Sequence, residues 1–432
     1  MAHALGRERL RPGATMSKVD VVPIGELPPV GVVPKRMIAQ VVRQDRFGDP
    51  AEAFQIEEVP VPELAADEVL IAVMAAGVNY NNVWAARGIP IDVIAMRKRA
   101  GKPWDFHIGG SDASGIVYAV GADVRTVSVG DAVVVHPGWW EATDPWVAGG
   151  KDPMLSGSAK IWGYDAPSNF GSFGQFAVAQ EHQVLPKAPR LTWEAAAAPT
   201  LVGTTAYRML HGWPPHTVER GDVVLVWGGS GGVGSQAIQL AALAGAHPIA
   251  VVSDARRGVY CQKLGAVGYI DRTEFHHWGI PPHWDDASGQ KEWLAGARAF
   301  GSRIWEILGE RRNPTIVVEH PGEATLPTSV FVCDRGGMVV ICAATTGYSG
   351  VVDLRYQWVM QKRLQGSHGS NDEQARAFND LVLSGSIDPC LGEVVRFEQL
   401  PTAHQAMTAG QDVFGNRVVL VGAAQEGLGA TS

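Results

Sequence analysis

Residues 223–241 read VVLVWGGSGGVGSQAIQLA: an apolar run, a glycine turn and a helix-forming stretch in unbroken succession. Gly229, Gly231 and Gly234 satisfy G-x-G-x-x-G, and Gly232 adds a fourth position without a side chain. Glycines there permit the tight turn and let the backbone approach a pyrophosphate. The helix that follows offers unpaired N–H groups and the positive end of its dipole. A lone glycine triplet is a weak signal. The order strand, turn, helix and second strand (PIAVVS, 248–253) makes it point to a dinucleotide. No residue between Asp222 and Asp254 is formally charged, a length that would pass for a membrane span. The glycines divide it, so it reads as buried strand–helix–strand.

Downstream the same rhythm continues through VGYID, TIVVEH and GGMVVICA, apolar strands separated by helical stretches, as a parallel sheet covered on both faces requires. Upstream, from Met37, short β-like runs (MIAQVV, EVLIAVMAAGVNY, SGIVYAVG, GDAVVVH) alternate with turn residues and predict a compact β unit. The segment from Trp139 to Asn169 is rich in Trp, Gly and Pro and reads as an inserted loop, as does EFHHWGIPPHWDD between Asp271 and Ile304. Between them LTWEAAAAPTLVGTTAYRML is helical, broken at Pro199. The fold class is therefore α/β: a Rossmann-type parallel sheet plus a β-rich domain. The expected division is an N-terminal extension (1–35), the first part of the catalytic domain (36–200), the dinucleotide-binding domain (201–370) and a C-terminal return to the catalytic domain (371–432).

The second strand ends at Ser253, about 20 residues after the last fingerprint glycine, where the ribose 2′ position is read. Ser253, Arg256 and Arg257 suit a 2′-phosphate and favour NADPH; Asp254 leaves the NAD-type acid open as the alternative.

The chain has 432 residues, with 36 Lys+Arg against 44 Asp+Glu for a net charge of −8. This acidic balance argues against a nucleic-acid or anionic-membrane binder. The N-terminus has no apolar core of a secretory signal, and the four cysteines show no C-x-x-C spacing, so a cytoplasmic protein with reduced thiols is expected.

A β-rich first half, a G-x-G-x-x-G domain and a returning C-terminus resemble the medium-chain dehydrogenase/reductases, which implies a GroES-like catalytic domain. Where the zinc alcohol dehydrogenases of that group carry Cys and a His-Glu pair, this sequence has Asn79 in GVNYNN and Ser111–Asp112 in GGSDASG. Amide and hydroxyl groups are poor zinc ligands, so no catalytic metal is expected. The resemblance sharpens to the crotonyl-CoA carboxylase/reductase family through GVNYNNVW, IGGSDASG, KIWGYDA, FGSFGQF, TAYRML, VWGGSGGVGS, VVSDARR, VVEHPG and RLQGSHGSN, collinear over residues 70–371.

That resemblance implies hydride transfer from NADPH to the β-carbon of an enoyl-CoA, followed by attack of the enolate on CO2 to give an alkylmalonyl-CoA such as ethylmalonyl-CoA. It carries the CO2-holding roles onto Asn81, Tyr164 with Asp165, and His368. Thr205 and Tyr207 fall near the nicotinamide, and Arg303 and Arg355 near the CoA phosphates. Against these stand plainer readings: Asn81 as a turn cap, Asp165 as a loop acid, Thr205 and Tyr207 as packing residues, Arg303 and Arg355 as surface ion pairs. Two departures from the family, Asp165 for Glu and Gly369 for a bulky residue, predict a wider or looser pocket: either longer or branched acyl chains are accepted, which is the favoured reading, or carboxylation leaks and plain reduction competes. A homotetramer or homodimer is implied, with the Trp-rich stretches 139–150 and 274–296 as contact surfaces. The rivals are a zinc-independent enoyl-CoA or quinone reductase without carboxylation, and a non-catalytic nucleotide-binding structural or sensor protein.

Overall fold

The computed structural model describes residues 20–411 and 413–431. Six parallel strands make the nucleotide-binding sheet: β1 (Val223–Trp227), β2 (His247–Val252), β3 (Gly268–Asp271), β4 (Ile316–Glu319), β5 (Met338–Ile341) and β6 (Arg363–Gly366), in the order 3-2-1-4-5-6. All five residues of β1 are buried. Val224 and Val226 pack to one side with Ala237 and Ile238 of helix α1 (Gly232–Leu243), and Val223, Leu225 and Trp227 pack to the other with Phe300 and Ile304. A strand covered twice needs an apolar residue at every position, which is why its sequence shows no alternation. The ligand crevice of such a sheet lies beyond the carboxyl ends of β1 and β4, where the strand order reverses.

The GroES-like domain is built on the strand Glu68–Val78, whose last ten residues are all buried. It pairs antiparallel with Ala113–Val120, Phe176–Gln180 and Asn416–Leu420, so a strand from the C-terminus sits inside the first domain's sheet. The helix Asp372–Ser384 still belongs to the nucleotide-domain side, with Ala375, Phe378 and Val382 in the same apolar cluster as Val224 and Val226. The chain re-enters the catalytic sheet only at Leu391. Of the expected N-terminal extension, residues 1–19 lie outside the described residues. Residues 20–35 lie along the catalytic domain, where Gly25 N–H donates to the Val421 carbonyl and Tyr118 Oη donates to the Pro28 carbonyl.

Pro199 separates two helices, Trp193–Ala197 and Thr200–His211, as its missing N–H and fixed φ dictate. The segment after Trp139 holds only short pieces: a two-residue ribbon of Gly138–Trp139 with Lys160–Ile161, and the turns Pro145–Ala148 and Pro153–Leu155. The second expected insertion needs correction, because residues 287–304 are not loop. They lie in a 22-residue helix, Ala287–Leu308, capped by Asp286. Gly289, Gly296 and Gly301 dilute its helical signal.

Candidate active site

Four segments meet at the carboxyl end of the nucleotide sheet. The first begins with Asn79, just past the central catalytic strand, and continues into the helix Asn81–Arg87. The Asn81 amide nitrogen donates to Ser111 Oγ at 2.7 Å, and its carbonyl accepts from Asn82 Nδ2 at 3.0 Å. Asn82 in turn accepts the Gly110 N–H at 3.0 Å. Asn81 is thus pinned at both ends, with one amide hydrogen left to give.

Asn79, Ser111 and Asp112 occupy the positions where a zinc enzyme would hold its metal. Asp112 is fully buried and accepts only N–H groups: Gly77 N–H at 3.1 Å, Asn79 Nδ2 at 3.2 and 3.3 Å, and Leu201 N–H at 3.3 Å. Burial raises its pKa to about 7 against those donors. Asn79 Oδ1 faces Asn416 Nδ2 at 3.4 Å, and Asn416 also donates to the Ala198 carbonyl at 2.9 Å. With amide and hydroxyl where thiolate and imidazole are needed, and the carboxylate spent on backbone donors, this donor set does not fit a catalytic zinc. It fastens the helix Thr200–His211 to the catalytic domain instead.

The turn Ile161–Ala166 is the second segment. Gly163 lies flush on Gly110 and Ser111, so that a Cβ there would overlap the Gly110 carbonyl. Asp165 closes the turn by accepting the Ile161 N–H at 2.7 Å, and its other oxygen lies 4.0 Å from Lys160 Nζ. Tyr164 is buried, and burial together with Asp165 and Tyr348 holds its phenol well above the usual pKa, hence protonated. Beneath the turn sits Arg97, a residue that sequence reading passed over. It lies in MRKRA, a run that looks like a solvated basic patch, yet it is 1% exposed. Arg97 donates to the carbonyls of Tyr164 (2.6 Å) and Ala166 (2.8 Å) and faces His107 Nδ1 at 3.0 Å. Burial pulls its pKa to about 10, with Asp165 opposing.

His368 begins the third segment, just past β6. Its side chain opens to solvent, but the surrounding protein lowers its pKa. Asp165 opposes that shift, while Arg208 and Lys160 add to it, so the imidazole is neutral at neutral pH. The segment is tied down residue by residue. Gly369 has φ +59°, and a Cβ there would come within 2.9 Å of Ile161 Cδ1 and 3.0 Å of Met154 Cε. Asn371 caps the helix Asp372–Ser384 and donates to Asp152 Oδ1 at 3.3 Å. Asp152 Oδ2 accepts from Arg208 Nη2 at 2.8 Å, and Arg208, 1% exposed, also donates to Gln374 at 3.0 Å and lies 4.7 Å over the Trp213 ring. Asp372 receives His136 Nε2 at 3.1 Å and His182 Nδ1 at 2.8 Å. Burial works to raise the pKa of its carboxyl, but these bonds hold it well below the usual range. Gly369 has a left-handed backbone, which favours glycine, and the ends of the Ile161 and Met154 side chains lie beside it.

The fourth segment is the glycine turn. The first turn of α1 presents its N-terminus there, and Gly234 packs so tightly on Gly228 and Gly229 that a Cβ would overlap them. These features and Arg257 fit a dinucleotide phosphate cradle. Asp254 is occupied as the N-cap of the helix Ala255–Lys263, accepting the Arg257 N–H at 3.0 Å. Arg257 is 18% exposed and donates to Ser230 Oγ at 3.1 Å, whereas Arg256 is 88% exposed. Ser253 stands half-buried between β2 and this helix. Thr205 is buried in the helix Thr200–His211, and the Tyr207 ring packs on His211 at 4.4 Å. Arg303 and Arg355 are not among these four segments. Each is half-exposed and folded onto its own neighbour, Glu306 at 3.0 Å and Asp353 at 2.5 Å.

Residues 65–189 match the alcohol dehydrogenase GroES-like domain family, and residues 232–384 match the zinc-binding dehydrogenase family. A crotonyl-CoA carboxylase/reductase from Cereibacter sphaeroides is 48% identical over 411 residues, covering 95% of this chain and 94% of that one. The chain belongs to the crotonyl-CoA carboxylase/reductase family. A crotonyl-CoA reductase from Streptomyces collinus is 39% identical over 89% of this chain and 86% of its own length. Among solved structures, crotonyl-CoA carboxylase/reductase AntE in complex with NADP is 52% identical, with a TM-score of 0.90 over 94% of this chain and all of that one. The 2-octenoyl-CoA carboxylase reductase CinF, in complex with NADP and 2-octenoyl-CoA, is 36% identical with a TM-score of 0.83 over 93% of this chain and 91% of its own. Like these relatives, this member of the crotonyl-CoA carboxylase/reductase family combines a GroES-like domain with a Rossmann-like one.

Proposed function

We propose that this chain reductively carboxylates an α,β-unsaturated acyl-CoA with CO2, using NADPH, to an alkylmalonyl-CoA such as ethylmalonyl-CoA. What supports the reading is that the segments carrying Asn81, Tyr164–Asp165 and His368 pack together, Gly163 against Gly110 and Ser111 and Gly369 against Ile161, beside donors that do not suit zinc. The bound dinucleotide supplies the hydride, which adds at the substrate's β-carbon. The electron pair left at the α-carbon forms a bond to the carbon of CO2, and the CO2 oxygens become a carboxylate with no proton consumed.

The chain's residues serve that second bond. CO2 is neutral and binds weakly; negative charge grows on its oxygens only as the bond forms. Donors fixed beforehand at those oxygens therefore stabilise the transition state more than the bound gas. Asn81 has its free amide hydrogen, neutral His368 a ring N–H, and Tyr164 a phenol that burial keeps protonated. Asp165 and Arg97 hold the turn in shape, and the apolar packing of Ile161 and Met154 keeps water from the α-carbon. Arg303 and Arg355 serve the CoA phosphates once these displace Glu306 and Asp353. The enzyme works in the cytoplasm as a homodimer or homotetramer; no helix among the described residues is long and apolar enough to cross a membrane. Ile280, Trp284, Leu354 and Trp358, each more than half exposed, offer one contact surface.

The test is incubation with crotonyl-CoA, NADPH and labelled bicarbonate. Acid-stable label in an alkylmalonyl-CoA is expected. Butyryl-CoA alone, with no label retained, would leave a reductase that ends in protonation, and absence of NADPH oxidation with every enoyl-CoA tried would leave a non-catalytic binder.

A further inference from the structure

Asp372 opens the helix Asp372–Ser384 four residues after His368, and two of the side chains that hold it come from the catalytic domain. Its Oδ1 receives both His136 Nε2 at 3.1 Å and His182 Nδ1 at 2.8 Å, and its Oδ2 accepts from Arg376 Nη2 at 3.2 Å. The ligand-type atoms of His136, His182 and Asp372 lie within 4.8 Å of one another, close enough to suggest a metal ion. The ring tautomers favour protons instead. His136 Nδ1 accepts the Gly138 N–H at 3.3 Å, so its hydrogen sits on Nε2, which has no lone pair to give a metal. Burial lowers the His136 pKa against the pull of Asp372, which keeps that ring neutral.

His182 differs. The Gln180 amide nitrogen donates to the Trp140 carbonyl at 3.1 Å, which turns Gln180 Oε1 toward His182 Nε2 at 2.9 Å. Both ring nitrogens of His182 therefore face oxygen acceptors, and only a ring with two N–H groups satisfies both. The Trp140 indole lies on that ring, with centroids 4.1 Å apart and planes 26° from parallel, and an aromatic face favours a cation. The same stretch grips the chain once more, since a Cβ on Gly138 would overlap the Ser370 carbonyl. Residues 136–140 and 180–182 thus bracket Ser370 and Asp372, two and four residues beyond His368.

We infer that His182 is a positioning residue for carboxylation: held between Trp140, Gln180 and Asp372, its imidazolium clamps the segment that carries His368 to the catalytic domain. The inference rests on the reading that His368 meets the CO2 oxygens. A donor stabilises charge growing in a transition state in full only when it is fixed in place beforehand. Gly369 has no side chain with which to brace the segment, so the hold falls on Ser370–Asp372 and on what grips them. Hydride transfer comes first and makes no use of His368. Loosening the clamp therefore acts on the second bond, where a proton competes with CO2 for the α-carbon.

The experiment incubates the wild type, His182→Leu, His182→Asn and Asp372→Asn with crotonyl-CoA, NADPH and labelled bicarbonate. It measures the ratio of alkylmalonyl-CoA to butyryl-CoA, together with KM for NADPH. A hydrogen bond to a charged group biases an equilibrium by about ten-fold or more. His136 and Arg376 still hold Asp372 when His182 is gone, so His182→Leu should lower the ratio by less, about 3- to 10-fold, and leave KM for NADPH in place. His182→Asn sets an amide N–H where Nδ1–H stood and should recover most of the ratio. Asp372→Asn, which keeps an acceptor but removes the charge, should fall between. If His182→Leu lowers both products alike, or Asp372→Asn leaves the ratio unchanged, the cluster only packs the fold and the inference is overturned. If His182→Leu and His182→Asn lower the ratio equally, the bond to Asp372 is not the cause and the inference again falls, with the carboxylation reading intact. If the wild type itself retains no label, the carboxylation reading is wrong and the role of His182 goes with it.

Discussion

Replacing Asp152 with alanine cuts three ties at once: the ion pair to Arg208, the hydrogen bond from Asn371 and the cap on the turn Pro153–Leu155, where the carboxylate accepts the Met154 N–H at 3.1 Å. Arg208 is 1% exposed, so its charge cannot turn to water when the carboxylate is gone. Removing one partner of a buried pair typically costs about 3–5 kcal/mol. Two features reduce that here. The Asp152 side chain is 24% exposed, so water already screens the pair, and Arg208 keeps Gln374 and the Trp213 face. We expect a loss of about 2–3 kcal/mol, read by chemical denaturation in the presence of saturating NADP to limit separate unfolding of the two domains. Activity should change in kind as well as amount. Asn371 lies three residues beyond His368, so loosening it is expected to weaken the hold that the proposed function gives the imidazole on CO2, while the glycine turn stays intact. The ratio of carboxylated to merely reduced product should fall several-fold, with NADPH oxidation reduced less. Asp152→Asn, which keeps one acceptor, should fall between. A denaturation shift under about 0.5 kcal/mol, the range of ordinary surface substitutions, together with an unchanged product ratio would refute this account of the tether.

Three further outcomes follow from the same geometry. Asp112→Asn presents an amide N–H to N–H donors at the old zinc position, at a cost of about 1–3 kcal/mol. Because burial raises the Asp112 pKa to about 7, wild-type stability falls as pH rises from about 4 to 7; the deficit of the variant should be larger at pH 5 than at pH 8, and a pH-independent deficit would contradict it. His404, buried against Phe54 at 4.8 Å with its pKa lowered to about 4, contributes stability that is present above pH 6.5 and lost as pH falls toward 4; His404→Phe should flatten that decline by about 3 kcal/mol in acid denaturation. Gly369→Val forces a branched residue into left-handed backbone against Ile161 and Met154, so it should destabilise by about 1–3 kcal/mol and lower carboxylation; a stable variant that only shifts preference to shorter acyl chains would restore Gly369 as a wall of the acyl pocket.

The parts legible in the sequence were those written as local pattern. The apolar run at 223–227, the glycines after it and the break at Pro199 each impose a backbone geometry through a few adjacent residues, and the structure has them in place. Asn81, Tyr164, Asp165 and His368 came from resemblance, and the fold draws their segments together. What stayed hidden is whatever depends on distant partners. Arg97 reads as one more cation in a basic run until its burial is seen, and nothing in residues 139–169 announces that Asp152 will meet Arg208 and Asn371. Gly369 looked like a missing side chain, and its left-handed backbone, which favours glycine, is visible only in the fold. The helix 287–308 was masked by its own glycines.

The segment Phe414–Asn416 touches the glycine turn, Arg257 and the Asn79–Asp112 pair, yet it comes after all six strands of the nucleotide sheet in the chain. On the ribosome the Rossmann strands emerge first and must wait for it. A nascent chain therefore cannot complete the contact of its glycine turn with Gly415 until that residue is made, just before the first domain receives its strand Asn416–Leu420. Cofactor and carboxylation chemistry become available together, and a chain cut short before residue 414 would form neither properly.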